Sequence, residues 1–208
     1  DSEALVPLVE KATRLGIVVM TFDTDINKTT DRISFIATDN YAAGKLAGQN
    51  AGRILGGKGK VGVLGHLAGT MDTRDRVNGF VDAIKAGYPG IRLLETVYGD
   101  GDHQKSLDKC VDMMTAHPDL AAIYATNEGG AIGAALAVEQ KKKVGKVKII
   151  GFDSSEQEID YLKKGVIQGF VVQNPFQIGY LGVKTMYEHL AGIKKAPARI
   201  DTGVVWVD

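Results

Sequence analysis

Residues 146–162 read KVKIIGFDSSEQEIDYL. Val147, Ile149, Ile150 and Phe152 form a short, nearly all-apolar run, as a strand covered on both faces of a parallel sheet requires. The run stops on Asp153, followed by Ser154 and Ser155, and an amphipathic stretch begins at Glu156. A buried strand that ends on a carboxylate leaves two readings. Either Asp153 caps the next helix, or it waits at the strand tip for a ligand.

The same alternation runs through all 208 residues. Strands are expected at 17–22 (IVVMTF), 33–38 (ISFIAT), 60–65 (KVGVLG), 91–98 (IRLLETVY), 121–126 (AAIYAT), 147–152 (VKIIGF), 169–173 (GFVVQ) and 203–207 (GVVWV). Helical runs fill the gaps. Ser2 is the expected N-cap of the first, Asp39 of the second, and Thr73 opens the third. In the second, Ala42, Ala43, Gly44, Ala47, Gly48 and Ala51 make a small-residue face suited to close packing on a sheet. Asn127 precedes EGGAIGAALAVEQ. Short strands alternating with helices predict a doubly wound α/β fold.

Hydrophobic residues make up 44%, enough for one large domain or two small ones, each with its own core. Lys+Arg and Asp+Glu are both 25, so the net charge is zero. That balance argues against nucleic acid or an anionic membrane as the principal partner. The dense basic run KKKVGKVK (141–148) reads as a solvated helix C-terminus. The one cysteine, Cys110, sits at helical spacing with Leu107 and Met114 and is expected in the core. No apolar run is long enough to cross a bilayer.

Polar residues gather where the strands end. Asp23, Thr24 and Asp25 follow the first strand, Asp39 the second, and Arg74 and Arg76 the third. GDGDH follows the fourth, Asn127 and Glu128 the fifth, Asp153 the sixth, and Gln173, Asn174 and Gln177 the seventh. In an open α/β sheet, ligands bind at the carboxyl ends of strands. Carboxylates accept, guanidinium donates a planar fork, and amides do both. That set suits a small neutral polyhydroxylated molecule. Capping is the bland alternative for each Asp and Asn, but Arg74 and Gln177 cannot be read as N-caps. GVLGHLAG is neither a dinucleotide fingerprint nor a P-loop, and there is no G-x-S-x-G elbow. His66, His103, His117 and His189 are scattered without ligand spacing, so no metal is expected. Aspartates with no placed nucleophile or base do not make an enzyme, and no cofactor is expected.

The stretches VVMTFD, IATDNYAAGKLAG, GTMDTRDRVNGF, MTAHPDLAAIYATNE, IIGFDSS and VVQNPFQIGYLGV together resemble the periplasmic sugar-binding proteins of ABC transporters, in the ribose-binding-like group. The resemblance covers nearly the whole chain. It implies two doubly wound parallel-sheet lobes joined by a hinge, 1–37 plus 176–204 and 38–175 plus 205–208. It implies that the first lobe is incomplete, lacking the family's N-terminal portion. It further implies a monosaccharide or polyol bound in the cleft between the lobes and delivered to a membrane permease by a protein that is monomeric when intact. The place would be the periplasm, or the cell exterior as a lipid-anchored protein in a Gram-positive organism. Carried over by motif, Asp23, Arg74, Asn127, Asp153 and Gln177 are the ligand-binding residues, with Thr24 and Asp102 as further candidates. Ribose binders carry Arg where this chain has Thr24, and an aromatic where it has Gly101. The alternative reading is the effector domain of a LacI/GalR-type repressor, which shares the fold.

Overall fold

Strand β6 (Lys148–Phe152) is buried along nearly its whole length, and its neighbours explain why. The computed structural model describes residues 1–208. The chain divides into two compact units: Asp1–Asn40, Gly69–Asp72 and Gln173–Val204; and Tyr41–Ala68, Thr73–Val172 and Val205–Asp208. Relative to the expected boundaries, residues 38–40 and 173–175 fall in the first unit, as does the excursion 69–72.

The second unit is built on a six-stranded sheet of order β4-β3-β5-β6-β7-β9. Its strands are β3 (Lys58–Gly65), β4 (Gly90–Tyr98), β5 (Leu120–Ala125), β6, β7 (Gly169–Val172) and β9 (Val205–Val207). All pairs are parallel except β7 with β9. Parallel strands need crossovers, and here helices supply them: α3 (Met71–Gly87), α4 (His103–Ala116), α5 (Glu128–Gln140) and α6 (Glu156–Lys163), preceded by α2 (Asn40–Ile54). Helix α5 is apolar nearly all round and buried from Gly129 to Ala135, as such a helix must be. Its Ala131, Ile132, Ala135 and Val138 join Leu64, Ile123, Ile149 and Phe170 in one core.

The glycines of α2 do not meet the sheet, as expected, but α3. A Cβ on Gly44 would lie 2.1 Å from the carbonyl oxygen of Arg76, and one on Gly79 2.1 Å from that of Tyr41. The two helix backbones approach too closely for any side chain. Ala43, Ala47 and Ala51 are buried beside Gly44 and Gly48, and Ala42 alone of the small-residue run is exposed.

The first unit holds a smaller parallel sheet, order β1-β2-β8, of β1 (Thr21–Phe22), β2 (Phe35–Ala37) and β8 (Arg199–Asp201). The expected strand 17–22 is thus cut to its last two residues, and it pairs on one side only. Strand β8 has no counterpart among the expected strands. Its residues carry no apolar run, and it forms because β2 offers its second edge. Helix α7 (Pro175–Leu190) packs on β1 and β2, and α1 (Val6–Arg14) on the turn Thr29–Asp31. The loop between β1 and β2 is tied by a buried ion pair: Arg32 Nε donates to Asp25 Oδ1 at 2.7 Å, and its Nη2 to Oδ2. Thr21 Oγ1 and the Ile26 N–H also donate to Asp25, so the buried carboxylate is well satisfied. No helix is long and apolar enough to cross a membrane.

Two expected caps are corrected. Helix α1 starts at Val6 behind Leu5, without a side-chain cap; Ser2 instead donates its hydroxyl to the Asp25 carbonyl at 2.6 Å. Helix α3 starts at Met71, so Thr73 lies inside its first turn. Helix α6 is capped by Ser155, whose Oγ accepts from Glu158 N–H, while Glu158 Oε2 accepts the Ser155 N–H at 2.8 Å. This reciprocal box buries Glu158 completely and leaves its Oε1 without a hydrogen-bond partner.

Burial pushes the Glu158 carboxyl up to about 7, and the charges of Asp153 and Glu128 add to the rise. The folded chain therefore holds a proton that the unfolded chain releases above its ordinary 4.5. Stability should fall as pH rises from 4.5 to about 7 and then level off. The expected loss is about 3 kcal/mol. Glu158→Gln keeps the cap and should abolish this component; urea unfolding at several pH values, giving parallel curves for the two proteins, would refute it. Gly79→Ala should destabilise by about 1–3 kcal/mol by forcing α2 from α3, read in the same melts.

Candidate functional site

Asp153 follows β6 with φ +80°, a left-handed conformation that a residue with a side chain adopts at a cost of about 1–3 kcal/mol. Its N–H still donates to the Val171 carbonyl at 2.8 Å, so the ladder with β7 continues through it while the side chain turns out of strand register. Ser155, not Asp153, caps α6, so capping does not explain the carboxylate. Its Oδ2 accepts the Glu128 N–H at 3.0 Å, across the neighbouring strand at the start of α5. The helix dipole there favours a negative charge. Asn127 caps α5, its Oδ1 accepting from Gly130 N–H at 3.1 Å. Gly101, at φ +71°, packs so closely that a Cβ would lie 3.2 Å from the Asn127 Nδ2.

The arginine at this rim is Arg76. Its side chain is buried, Nη1 donates to the Thr126 carbonyl at 2.8 Å, and the guanidinium lies over the Phe152 ring with its carbon 3.8 Å from the centroid. Arg74 is exposed. Helical phase explains the difference: residues two apart on a helix point to nearly opposite sides. Thr73, Arg76 and Phe80 share the inward stripe of α3, and Phe80 stacks on Tyr124 of β5 with ring centroids 4.1 Å apart. That stripe is the signal in the sequence that separates the two arginines. Asp153, Asn127 and Arg76 are thus gathered at the carboxyl ends of β5 and β6 by Thr126 and Phe152. His66, which the sequence places no more closely than the surface or a cleft rim, joins them through Thr126. Asp102 is occupied as the N-cap of α4, accepting the Lys105 N–H at 2.8 Å.

In the first unit, Asp23 repeats the device. It follows Phe22 as Asp153 follows Phe152, has φ +67°, and donates its N–H to the Ile36 carbonyl of the paired strand at 3.0 Å. Its side chain is exposed. Thr24 donates to Asp72 Oδ1 at 2.9 Å. Gln177 sits in the first turn of α7, where Asn174 caps its N–H, and its side chain is half-buried. Gln173, rather than Gln177, lies directly after β7, and it accepts from Thr38 Oγ1 at 2.9 Å. No group of three or more His, Cys, Asp or Glu is placed to hold a metal ion. The arrangement offers acceptors, amides and one fixed fork, but no activated nucleophile.

The family model described as "Periplasmic binding protein domain" matches residues 1–194. The ribose import binding protein of Salmonella typhimurium is 34% identical over 194 residues, 93% of this chain and 64% of that protein. The chain thus spans less than two thirds of that relative's length. The ribose import binding protein of Haemophilus influenzae is 36% identical over 205 residues, 98% of this chain and 68% of its own. Among solved structures, an ABC transporter solute-binding protein from Agrobacterium vitis with bound D-fucose superposes with a TM-score of 0.95 at 36% identity, covering 100% of this chain and 71% of its own. On the family match, on these identities and on a shared arrangement of parallel sheets and helices, the chain belongs to the periplasmic binding protein domain family.

Proposed function

We propose that the protein is the solute-binding component of an ABC sugar importer, holding a monosaccharide or polyol through hydrogen bonds and passing it to a membrane permease. The observation that carries this reading is Asp153: a carboxylate held at φ +80°, relieved of capping by Ser155 and steadied by the Glu128 N–H. Such backbone strain persists where the surroundings over-determine it, commonly at ligand sites. Beside it stand a buried guanidinium, Arg76, and an amide, Asn127. Adjacent sugar hydroxyls donate to the carboxylate and accept from the guanidinium, and the amide serves either role. Arg76 takes the part that the motif gives to Arg74. From the first unit, Asp23 and Gln177 are proposed to meet further hydroxyls, with Gln173 and Thr24 as additional candidates.

The relatives support a sugar: two carry ribose in their names, and a structural neighbour holds D-fucose. Thr24 and Gly101 replace side chains expected in ribose binders, so the proposed ligand class is kept to monosaccharides and polyols. The proposed place of action is the periplasm, or the outer surface of a Gram-positive cell.

A thermal-shift panel of pentoses, hexoses, deoxy sugars and polyols on the full-length protein should give a clear rise for at least one. A flat panel would overturn the reading. For the sugar so found, Asp153→Ala should weaken binding by about 2–4 kcal/mol, on the order of 30- to 1000-fold. Calorimetry giving an unchanged affinity would remove Asp153 from the site.

A further inference from the structure

His66 follows β3, and both nitrogens of its ring are engaged. Nδ1 lies 2.9 Å from Thr126 Oγ1, and Nε2 lies 2.8 Å from Thr73 Oγ1. The backbone repeats the pairing: the His66 N–H donates to Thr126 Oγ1 at 3.1 Å, and the Leu67 N–H to Thr73 Oγ1 at 3.3 Å. Both threonines are buried. Thr126 directly follows β5, and its carbonyl accepts from Arg76 Nη1 at 2.8 Å. Thr73 lies one helical turn before Arg76. The links close a ring: His66, Thr126, Arg76, the first turn of α3, Thr73, and back to the imidazole.

We propose that His66 is a positioning residue for sugar binding, clamping the loop after β3 and the end of β5 together so that the Arg76 guanidinium keeps its aim. The inference rests on the sugar-binding reading above. With both ring nitrogens committed to threonines, the imidazole has no nitrogen left to bond a ligand directly, so its effect passes through its neighbours. A neutral imidazole has one donor and one acceptor nitrogen, and a hydroxyl can be either. The clamp can therefore be satisfied at both ends at once. Removing the ring takes one partner from each of two buried hydroxyls and loosens the first turn of α3 from the end of β5. A guanidinium fork misdirected by a fraction of an ångström loses hydrogen bonds to a rigid sugar, so a clamp of this kind acts on affinity as well as stability.

The test uses the full-length protein and the tightest binder among D-ribose, D-allose, D-fucose and D-arabinose, titrated by calorimetry. His66→Leu fills the ring volume without nitrogens and should lose about 10- to 100-fold in affinity. His66→Asn can still reach Thr126, and His66→Gln can reach Thr73, so each should recover part of the loss. In an Arg76→Lys background, His66→Leu should cost less than about threefold, because the group that it aims is gone. Wild type that binds while His66→Leu binds within about twofold of it overturns this inference alone. So does a full, additive loss in the Arg76→Lys background, which would mark a merely structural role. If His66→Leu does not fold, the amide variants decide: affinities no better than that of His66→Ala overturn the clamp. Wild type that binds none of the sugars in either assay overturns the functional reading, and this inference with it.

Discussion

A parallel strand cannot return to its neighbour by a tight turn, so each of β3, β5 and β6 must leave through a helix and re-enter from the far edge. Every strand of that run therefore ends on the same edge. The chemistry of the second unit follows from this constraint. Asp153, Thr126 with Asn127, and His66 are the first residues after three adjacent strands, and each belongs to the turn that leads into a helix. None was brought to the others by a long loop. Residues 60 and 25 apart in sequence (66 to 126, 128 to 153) become neighbours because their strands are. Arg76 reaches the same edge from the side, on the inward stripe of α3.

Burying charge beside an apolar core needs partners, and the structure supplies a different kind in each place. Arg76 has a carbonyl and an aromatic face. Asp25 has a guanidinium, a hydroxyl and a backbone N–H. Glu158 has only Ser155 for one oxygen and nothing for the other, and burial answers by holding its proton to about 7. The two forms of offset are distinct: Arg76 and Asp25 are met by partners, and the half-paired Glu158 gives up its charge.

The second unit is legible in the sequence because its central strands β5 and β6 are buried almost throughout. Apolar runs at 147–152 and 121–126 lie within a residue of β6 and β5, and Asn127 and Asp153 fall where their runs end. The first unit is less so. Strand β8 has no apolar signature, and residues 17–20 look like strand but are not part of β1, which begins at Thr21. The caps expected at Ser2 and Thr73 fail for a shared reason: a hydroxyl near a helix start is available to tertiary partners, and Asp25 and His66 claim these two. Helical phase, which Phe80 and Ile84 set, turns Arg76 inward and leaves Arg74 exposed. The imidazole clamp is beyond the reach of sequence, since nothing local links positions 66, 73 and 126.

Helix α5 carries a last consequence. It is sheathed in core from Gly129 to Ala135, with little surface of its own, and Gly129 is pressed against the Gly101 carbonyl. Its first turn cannot slide without dislodging the interior. The spacing of Asn127 from Asp153 is thus a gauge block machined into the middle of its unit. Under the proposed function, differences in ligand preference should be sought in interchangeable fittings such as position 101, and not in the gauge itself.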